Sequence, residues 1–295
     1  MAAAVAAHPL LARVTAAMER IAPLALADAS WDNVGTLIEA PAQPGKTDDT
    51  VLVTIDLTPQ VLDEAIRHRA SVVVAYHPII FSGLKKLSLN VPTQQTVLRA
   101  ISHGISVFCP HTSLDAAKGG INDWLIECLG PVTSRRPIDP RMPNGKKPLN
   151  DRDVASCVTG YGRVGMLDGF LSLEEALKRV KEGCGVPTVR VALPPQHLAN
   201  KGADAMIKTV AVCAGSGTGV FRGLPTTPDL LLTGEMSHHD VLAAAQKGSI
   251  VMLTEHTNTE RGFLRAVLEG ALSKELGDGV KVVVSESDAD PLVVF

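Results

Sequence analysis

The chain has 295 residues, 45% of them hydrophobic and 20% charged, enough for one large or two ordinary domains with real cores. Aromatic residues make up only 3%, so the core must be built from Ala, Val, Leu and Ile, as in layered α/β proteins with buried parallel strands. A formal net charge of -3, with no run of Lys and Arg interleaved with aromatics, disfavours direct nucleic-acid binding through a basic face.

The start, "MAAAVAAHPLLARVTAAMER", has no basic segment ahead of a long apolar one, and no later stretch reaches the about eighteen apolar residues of a membrane span. Secretion and membrane insertion are disfavoured. The expected compartment is the cytoplasm, and the Ala and Arg content without early acids keeps the mitochondrion open. Leu10, Val14, Met18 and Ile21 recur at helical spacing and predict an N-terminal helix. In "SWDNVG", Asp32 and Asn33 are turn formers, and Trp31 reads as a buried anchor, with substrate contact as the alternative.

A rhythm of short apolar strand, turn and helix then sets in. "TVLVTID" leads to "LTPQVLDEAIRH", "ASVVVAYHP" follows, and "GISVFCPHTSLD" leads to "GGINDWLIECLG". Strands alternating with helices predict parallel sheet covered by helices. The Pro, Arg and Lys content of "PVTSRRPIDPRMPNGKKPLNDRD", 131–153, predicts an exposed loop or linker. A middle segment reads as strand, helix and strand, with Ser172 as helix cap and Glu175 completing a capping box. The rhythm resumes in "IKTVAVCAGSGTGVF", "PDLLLTGEMSHHDVLAAAQKG", "SIVMLTEHTNTERGFLRAVLEGAL" and a last strand, "VKVVVSES". The reading is an α/β protein of two α/β lobes with largely parallel sheets: an N-terminal lobe over 1–130, a linker and middle segment over 131–204, and a C-terminal α/β segment over 205–295. The five cysteines (Cys109, Cys128, Cys157, Cys184, Cys213) are odd in number and free of CxxC pairs, which predicts reduced thiols rather than disulfides or a zinc ribbon.

Five of the nine histidines fall at the ends of four strands. "VVVAYHP" delivers Tyr76 and His77, "VFCPHTSLD" His111 and Asp115, "LLLTGEMSHHD" Glu235, His238 and His239, and "VMLTEHTNTE" His256 and Glu260. Ligands of open parallel sheets bind outside the carboxyl ends of the strands. Two histidines, His111 and His256, precede a carboxylate by four residues, and a first helical turn would face both side chains the same way, as closure on one cation requires. Imidazole and carboxylate without thiolate suit Zn, Mn, Fe, Co or Ni. For single residues other roles stay open: Asp115 as a helix cap, Glu260 as partner of Arg261, Cys109 as core, and His238 and His239 as a capped surface helix start. "AGSGTG" could cradle a phosphate with its backbone N–H groups, although a tight turn needs glycine anyway.

These motifs resemble the GTP cyclohydrolase I type 2 homologue family, the Nif-three-like proteins, in its eukaryotic branch. The matching stretches are "SWDNVGTLIE", "YHPIIFSGLKKL", "PHTSLDAAKGGINDWLIECLG", "LLTGEMSHHDVLAAAQKG", "LTEHTNTERGFL" and "VVVSESDADPL". The resemblance implies a Nif-three-like fold, a homohexamer built from dimers, and one or two divalent metal ions per subunit in a cleft between lobes. It implies His77, Asp115 and Glu260 as ligands of one ion and His256 with a bridging Glu260 for the other, with His111 beside them as a further ligand or orienter. At the first histidine of the "HHP" motif of bacterial members this chain has Tyr76, a phenol with a pKa near 10 and a poor ligand at neutral pH.

The chemistry these residues serve is metal-assisted hydrolysis of a nucleotide or phosphoester, with Glu260 and His256 as the catalytic pair. The family name points to opening of a purine ring in GTP, although nothing in the sequence reads a guanine base. The alternative is a non-catalytic hexameric scaffold or metal-binding protein that meets transcription regulators through protein contacts.

Overall fold

The computed structural model describes residues 6–45 and 48–294. The first five residues of the Ala-rich start lie outside them. Among the described residues eleven strands form two sheets: β1 (Gly35–Ile38), β2 (Thr50–Thr54), β3 (Val72–Ala75), β4 (Ser106–Cys109), β5 (Val132–Pro140), β6 (Gly160–Ser172), β7 (Arg190–Ala192), β8 (Met206–Ser216), β9 (Leu230–Glu235), β10 (Ile250–Leu253) and β11 (Lys281–Val284). The chain separates into two compact units that are each discontinuous in sequence, Met1–Leu114 with Leu264–Ala289, and Asp115–Phe263 with Asp290–Phe295.

The first unit holds a sheet in the order β1-β4-β3-β2-β11. β11, β2, β3 and β4 run parallel, and β1 closes the edge antiparallel to β4. Every residue of β2, β3 and β4 is buried, which is why "TVLVT", "VVVA" and "SVFC" read as unbroken apolar runs rather than as alternation. Helix Pro59–Arg67 joins β2 to β3, capped by the Thr58 side chain, which accepts from the Val61 N–H, and started by Pro59 in the first turn. Helix Pro92–Ser102 joins β3 to β4, and Leu52, Leu62, Val73, Val97 and Val107 share one core. Helix Pro9–Ile21 forms as its spacing predicts, burying Leu10, Leu11, Val14, Ala17 and Met18 and packing against helix Glu269–Leu276.

The closing "SES" motif is fastened inside this unit. The Glu64 carboxylate, on the buried face of helix Pro59–Arg67, accepts from Ser285 Oγ at 2.5 Å, from the Glu286 N–H at 2.9 Å and from the Ser287 N–H at 3.0 Å. Burial alone would raise its pKa, but these donors outweigh burial and hold it below the usual carboxylate range.

The second unit holds a sheet in the order β5-β6-β8-β9-β10-β7. Its β8, β9 and β10 are parallel, flanked by antiparallel β6 and β5 on one side and β7 on the other. Residues 131–153, expected to be a loop or linker, instead contribute β5, paired along its length with β6. The prolines that argued against a strand are tolerated because β5 is an edge strand, where a missing N–H costs no ladder bond. Helix Leu173–Cys184 is capped as expected by Ser172, whose side chain accepts from the Glu175 N–H. The Glu175 carboxylate binds Arg179 Nε at 2.8 Å. Arg163, only 1% exposed, is fully used: Nε and Nη2 meet the two oxygens of Asp123, Nη1 donates to the carbonyls of Gly160 and Gly162, and Nη2 also donates to the carbonyl of Ala117.

Because the folded-state pKa of Glu64 is depressed, its ionised form stabilises the fold above the unfolded pKa of about 4.3, and that contribution is lost as pH falls through the folded value. Glu64→Gln is expected to lower unfolding free energy at pH 7 by about 1–3 kcal/mol. The gap from wild type should shrink as urea denaturation is repeated below about pH 4.

Candidate functional site

Three adjacent parallel strands of the first unit end with Asp56 after β2, Tyr76 and His77 after β3, and His111 after β4. His77 Nδ1 lies 2.9 Å from Asp56 Oδ1. His111 Nδ1 lies 2.6 Å from Asp32 Oδ1, while Asp32 Oδ2 receives the Thr112 N–H at 3.2 Å and the Thr112 hydroxyl. The two imidazole rings stand edge to face with centroids 5.6 Å apart, and buried Tyr76 packs on both. Burial tends to raise the pKa of Asp32, but the hydrogen bonds of His111 and Thr112 and the charge of His111 overcome it and hold the carboxyl ionised below its ordinary range. His111 adopts φ +32°, a conformation costly for a non-glycine residue.

The second unit repeats this arrangement on β8, β9 and β10. Their carboxyl ends deliver Gly215, Glu235 and the loop holding His256, with Glu260 in helix Asn258–Phe263. His256 Nδ1 lies 2.9 Å from Glu235 Oε1, and its Nε2 lies 3.6 Å from Glu260 Oε1. Glu260 is 1% exposed. Asp115 lies in helix Thr112–Ala116: burial, and then the charges of Asp115 and Glu260, push up the pKa of Cys213 on β8. Gly215 has φ +62°, and a Cβ there would stand 2.9 Å from both Glu260 Oε1 and His256 Nε2. The residue before His256, Glu255, is also strained, at φ +72°, and is held by Arg190 at 2.8 Å.

The loop is braced from within. Thr259 Oγ1 donates to the His256 carbonyl at 2.8 Å and accepts from the Gly215 N–H at 2.8 Å. Arg261 Nη1 donates to Thr257 Oγ1 at 3.0 Å and Asn258 Oδ1 at 3.1 Å, and Thr257 Oγ1 donates to Asp290 at 2.8 Å. Arg261 thus steadies the turn.

Sequence reasoning differs from the structure at several places. Trp31 is no buried anchor: it is half exposed, because its neighbours Asp32 and Asn33, not its own ring, fix the turn. "AGSGTG" does not offer its first amides to a phosphate, since the Gly215 and Gly217 N–H groups are taken by Thr259 and Thr233. His238 and His239 open helix His238–Gln246 on the surface behind a Ser237 cap, while Glu235 alone of that motif meets a candidate ligand. Asp115 does not cap the following helix, whose cap residue is Gly120. The carboxylates Asp32 and Asp56 hold histidines 79 and 21 residues away, partnerships that the strand-end motifs do not contain. The five cysteines are free thiols, as expected. No helix among the described residues is long and apolar enough to cross a membrane.

The sequence profile of the family described as Duf34/NIF3 (NGG1p interacting factor 3) matches residues 9–291. The chain belongs to this family. It is 41% identical over 298 residues to NGG1-interacting factor 3 of Saccharomyces cerevisiae, covering 96% of each chain, and 33% identical to human NIF3-like protein 1, covering 90% of this chain and 87% of the relative. The NIF3 fold is shared with Staphylococcus aureus protein SA1388 (TM-score 0.77, 22% identity, 97% and 99% of the two chains) and a Bacillus cereus protein related to NIF3 (TM-score 0.75, 20% identity, 96% and 98%). The resemblance drawn from the motifs thus holds for family and for fold class.

Gly215→Ala tests the packing of the second unit's donors. Both its positive φ and the 2.9 Å approach to His256 and Glu260 oppose a methyl group, so the variant should lose about 1–3 kcal/mol in urea denaturation. Gly219→Ala, where the same construction meets nothing within 4 Å, serves as the control.

Proposed function

We propose that this NIF3-family chain binds one or two divalent metal ions through His77, Asp115, His256 and Glu260, with His111 beside them, and acts as a metal-dependent hydrolase on a nucleotide or phosphoester. One observation carries the reading: His77, His111 and His256 each engage a carboxylate through Nδ1. Metal-ligating imidazoles are held in this way, with the carboxylate fixing tautomer and ring orientation and raising the basicity of the other nitrogen. A fourth such pair, His197 with Asp204, lies in a surface turn and not at a strand end. The donor chemistry fits Zn, Mn, Fe, Co or Ni.

A divalent cation would supply polarisation of the scissile group and a water acidified toward neutrality. The residues do the rest. With Glu235 ionised, His256 donates from Nδ1 and keeps a lone pair on Nε2 to bind or to accept a proton. The two oxygens of Glu260 suit a bridging position, and its burial strengthens any charge interaction it makes. The homohexamer that the family resemblance implies belongs to the same proposal. A second reading, a scaffold that works through protein contacts, is favoured by the name of the yeast relative, an NGG1-interacting factor.

Elemental mass spectrometry on protein purified without added metal or a metal-binding tag tests the proposal. One or two ions per subunit are expected in wild type, none in Glu260→Gln, and an affinity lowered about 10–100-fold in Glu235→Ala. Tyr76→His is expected to raise occupancy. Hydrolysis of a nucleotide and phosphoester panel should fall about 10²-fold or more in Glu260→Gln while partner binding persists. No ion in wild type, or equal content in Glu260→Gln, overturns the metal reading and favours the scaffold.

A further inference from the structure

Two large aromatic rings in the first unit have no structural task that explains their position. Trp31 is 51% and Phe81 52% exposed. Neither sits on a loose backbone. Asn33 Nδ2 donates to the Ile80 carbonyl at 2.5 Å, Asp32 grips His111 and Thr112, and the Trp31 N–H donates to the Asp28 carbonyl at 3.3 Å. The indole stands edge-on to the His111 imidazole, centroids 5.8 Å apart at 85°, and 6.1 Å from the Phe81 ring with 44° between the planes. Large apolar faces held rigidly in water forgo the stabilisation that burial would give, so they are informative where they occur.

We infer that Trp31 and Phe81 form a stacking platform, beside His111, for the planar heteroaromatic ring of a phosphorylated small molecule, a nucleotide in chemical class. Two features favour this occupant over an apolar protein segment. The backbone beside the rings is braced before any ligand arrives, and the indole offers a flat π-face with Phe81 tilted at its side, which suits stacking, an interaction tolerant of the ring's identity but demanding of its orientation. Lys85 and Lys86 follow Phe81 on the same loop and are exposed, so the loop complements phosphate charge. The platform selects the nucleotide half of the proposed substrate class over a ring-free phosphoester; its catalytic meaning rests on the metal-hydrolase reading, although ring binding does not.

The experiment titrates metal-free and metal-loaded protein with ATP and GTP, with inorganic triphosphate as the ring-free control, and follows tryptophan fluorescence and calorimetric affinity. Wild type should show saturable quenching by both nucleotides in both metal states. Trp31→Leu should bind them about tenfold or more weakly, Trp31→Phe should recover most of that loss, and triphosphate affinity should be the same in all three. Metal content should equal wild type in both Trp31 variants, so failure of stacking with metal intact sinks this inference alone, and loss of metal with stacking intact sinks only the metal reading. Equal nucleotide affinity in wild type and Trp31→Leu overturns the platform. So does a fall in oligomer mass in Trp31→Leu, measured by light scattering, with nucleotide affinity unchanged, which would make the exposed Trp31, Phe81, Leu84 and Leu87 an interface between copies.

Discussion

Parallel strands that lie side by side must end side by side, about 4.8 Å apart, and the site residues follow from that constraint. In the first unit β2, β3 and β4 are such neighbours, so the residues that leave them, Asp56, His77 and His111, converge at one edge of the sheet. The 5.6 Å between the His77 and His111 rings is close to the strand spacing. In the second unit β8, β9 and β10 do the same for Gly215, Glu235 and His256. Each sheet therefore carries a histidine whose partner acid arrives on the preceding parallel strand.

Collecting acids and imidazoles at one edge needs compensation, because a buried charge without a partner is costly. The structure supplies it locally. Asp32 takes His111 and two donors from Thr112, enough to keep its carboxyl acidic in spite of burial. Each histidine keeps one nitrogen on an acid, which fixes the ring. The thiol of Cys213, in contrast, meets burial together with the charges of Asp115 and Glu260, and both effects keep its proton on.

Much of this was legible in the sequence. Unbroken apolar runs such as "VVVA" announced buried parallel strands, and the concentration of histidines just past them announced the edge where they meet. The partner acids were less visible, but two of them left a signal. Asp56 precedes His77 by 21 residues, and Glu235 precedes His256 by 21, the length of one strand-helix-strand repeat in each unit. An acid one repeat upstream of a strand-end histidine is therefore a pattern that spacing alone can expose. Asp32, 79 residues from His111, precedes the antiparallel edge strand β1, and no local period connects the two. The large energy of burying an indole predicts an anchor at Trp31, but the turn fixed by Asp32 and Asn33 holds the ring half exposed. β5 misled because edge strands accept the prolines and charges that mark loops elsewhere.

Backbone strain sits at the candidate site's two donor-bearing turns. His111 and Glu255 both hold positive φ, at +32° and +72°, and both stand where a strand gives way to the donor-bearing turn. Such conformations cost about 1–3 kcal/mol each and persist only when their surroundings over-determine them. Asp32 does this for His111 through the imidazole and the next residue's N–H, and Arg190 does it for Glu255 across the β7–β10 pairing. Relaxing either turn would move side chains that are polar. What it would change is the direction of His111 or His256. Fixed imidazole direction is therefore what the strain maintains, and Gly215, the one residue type that could pass within reach of His256 Nε2 and Glu260 Oε1 at its own positive φ, belongs to the same device.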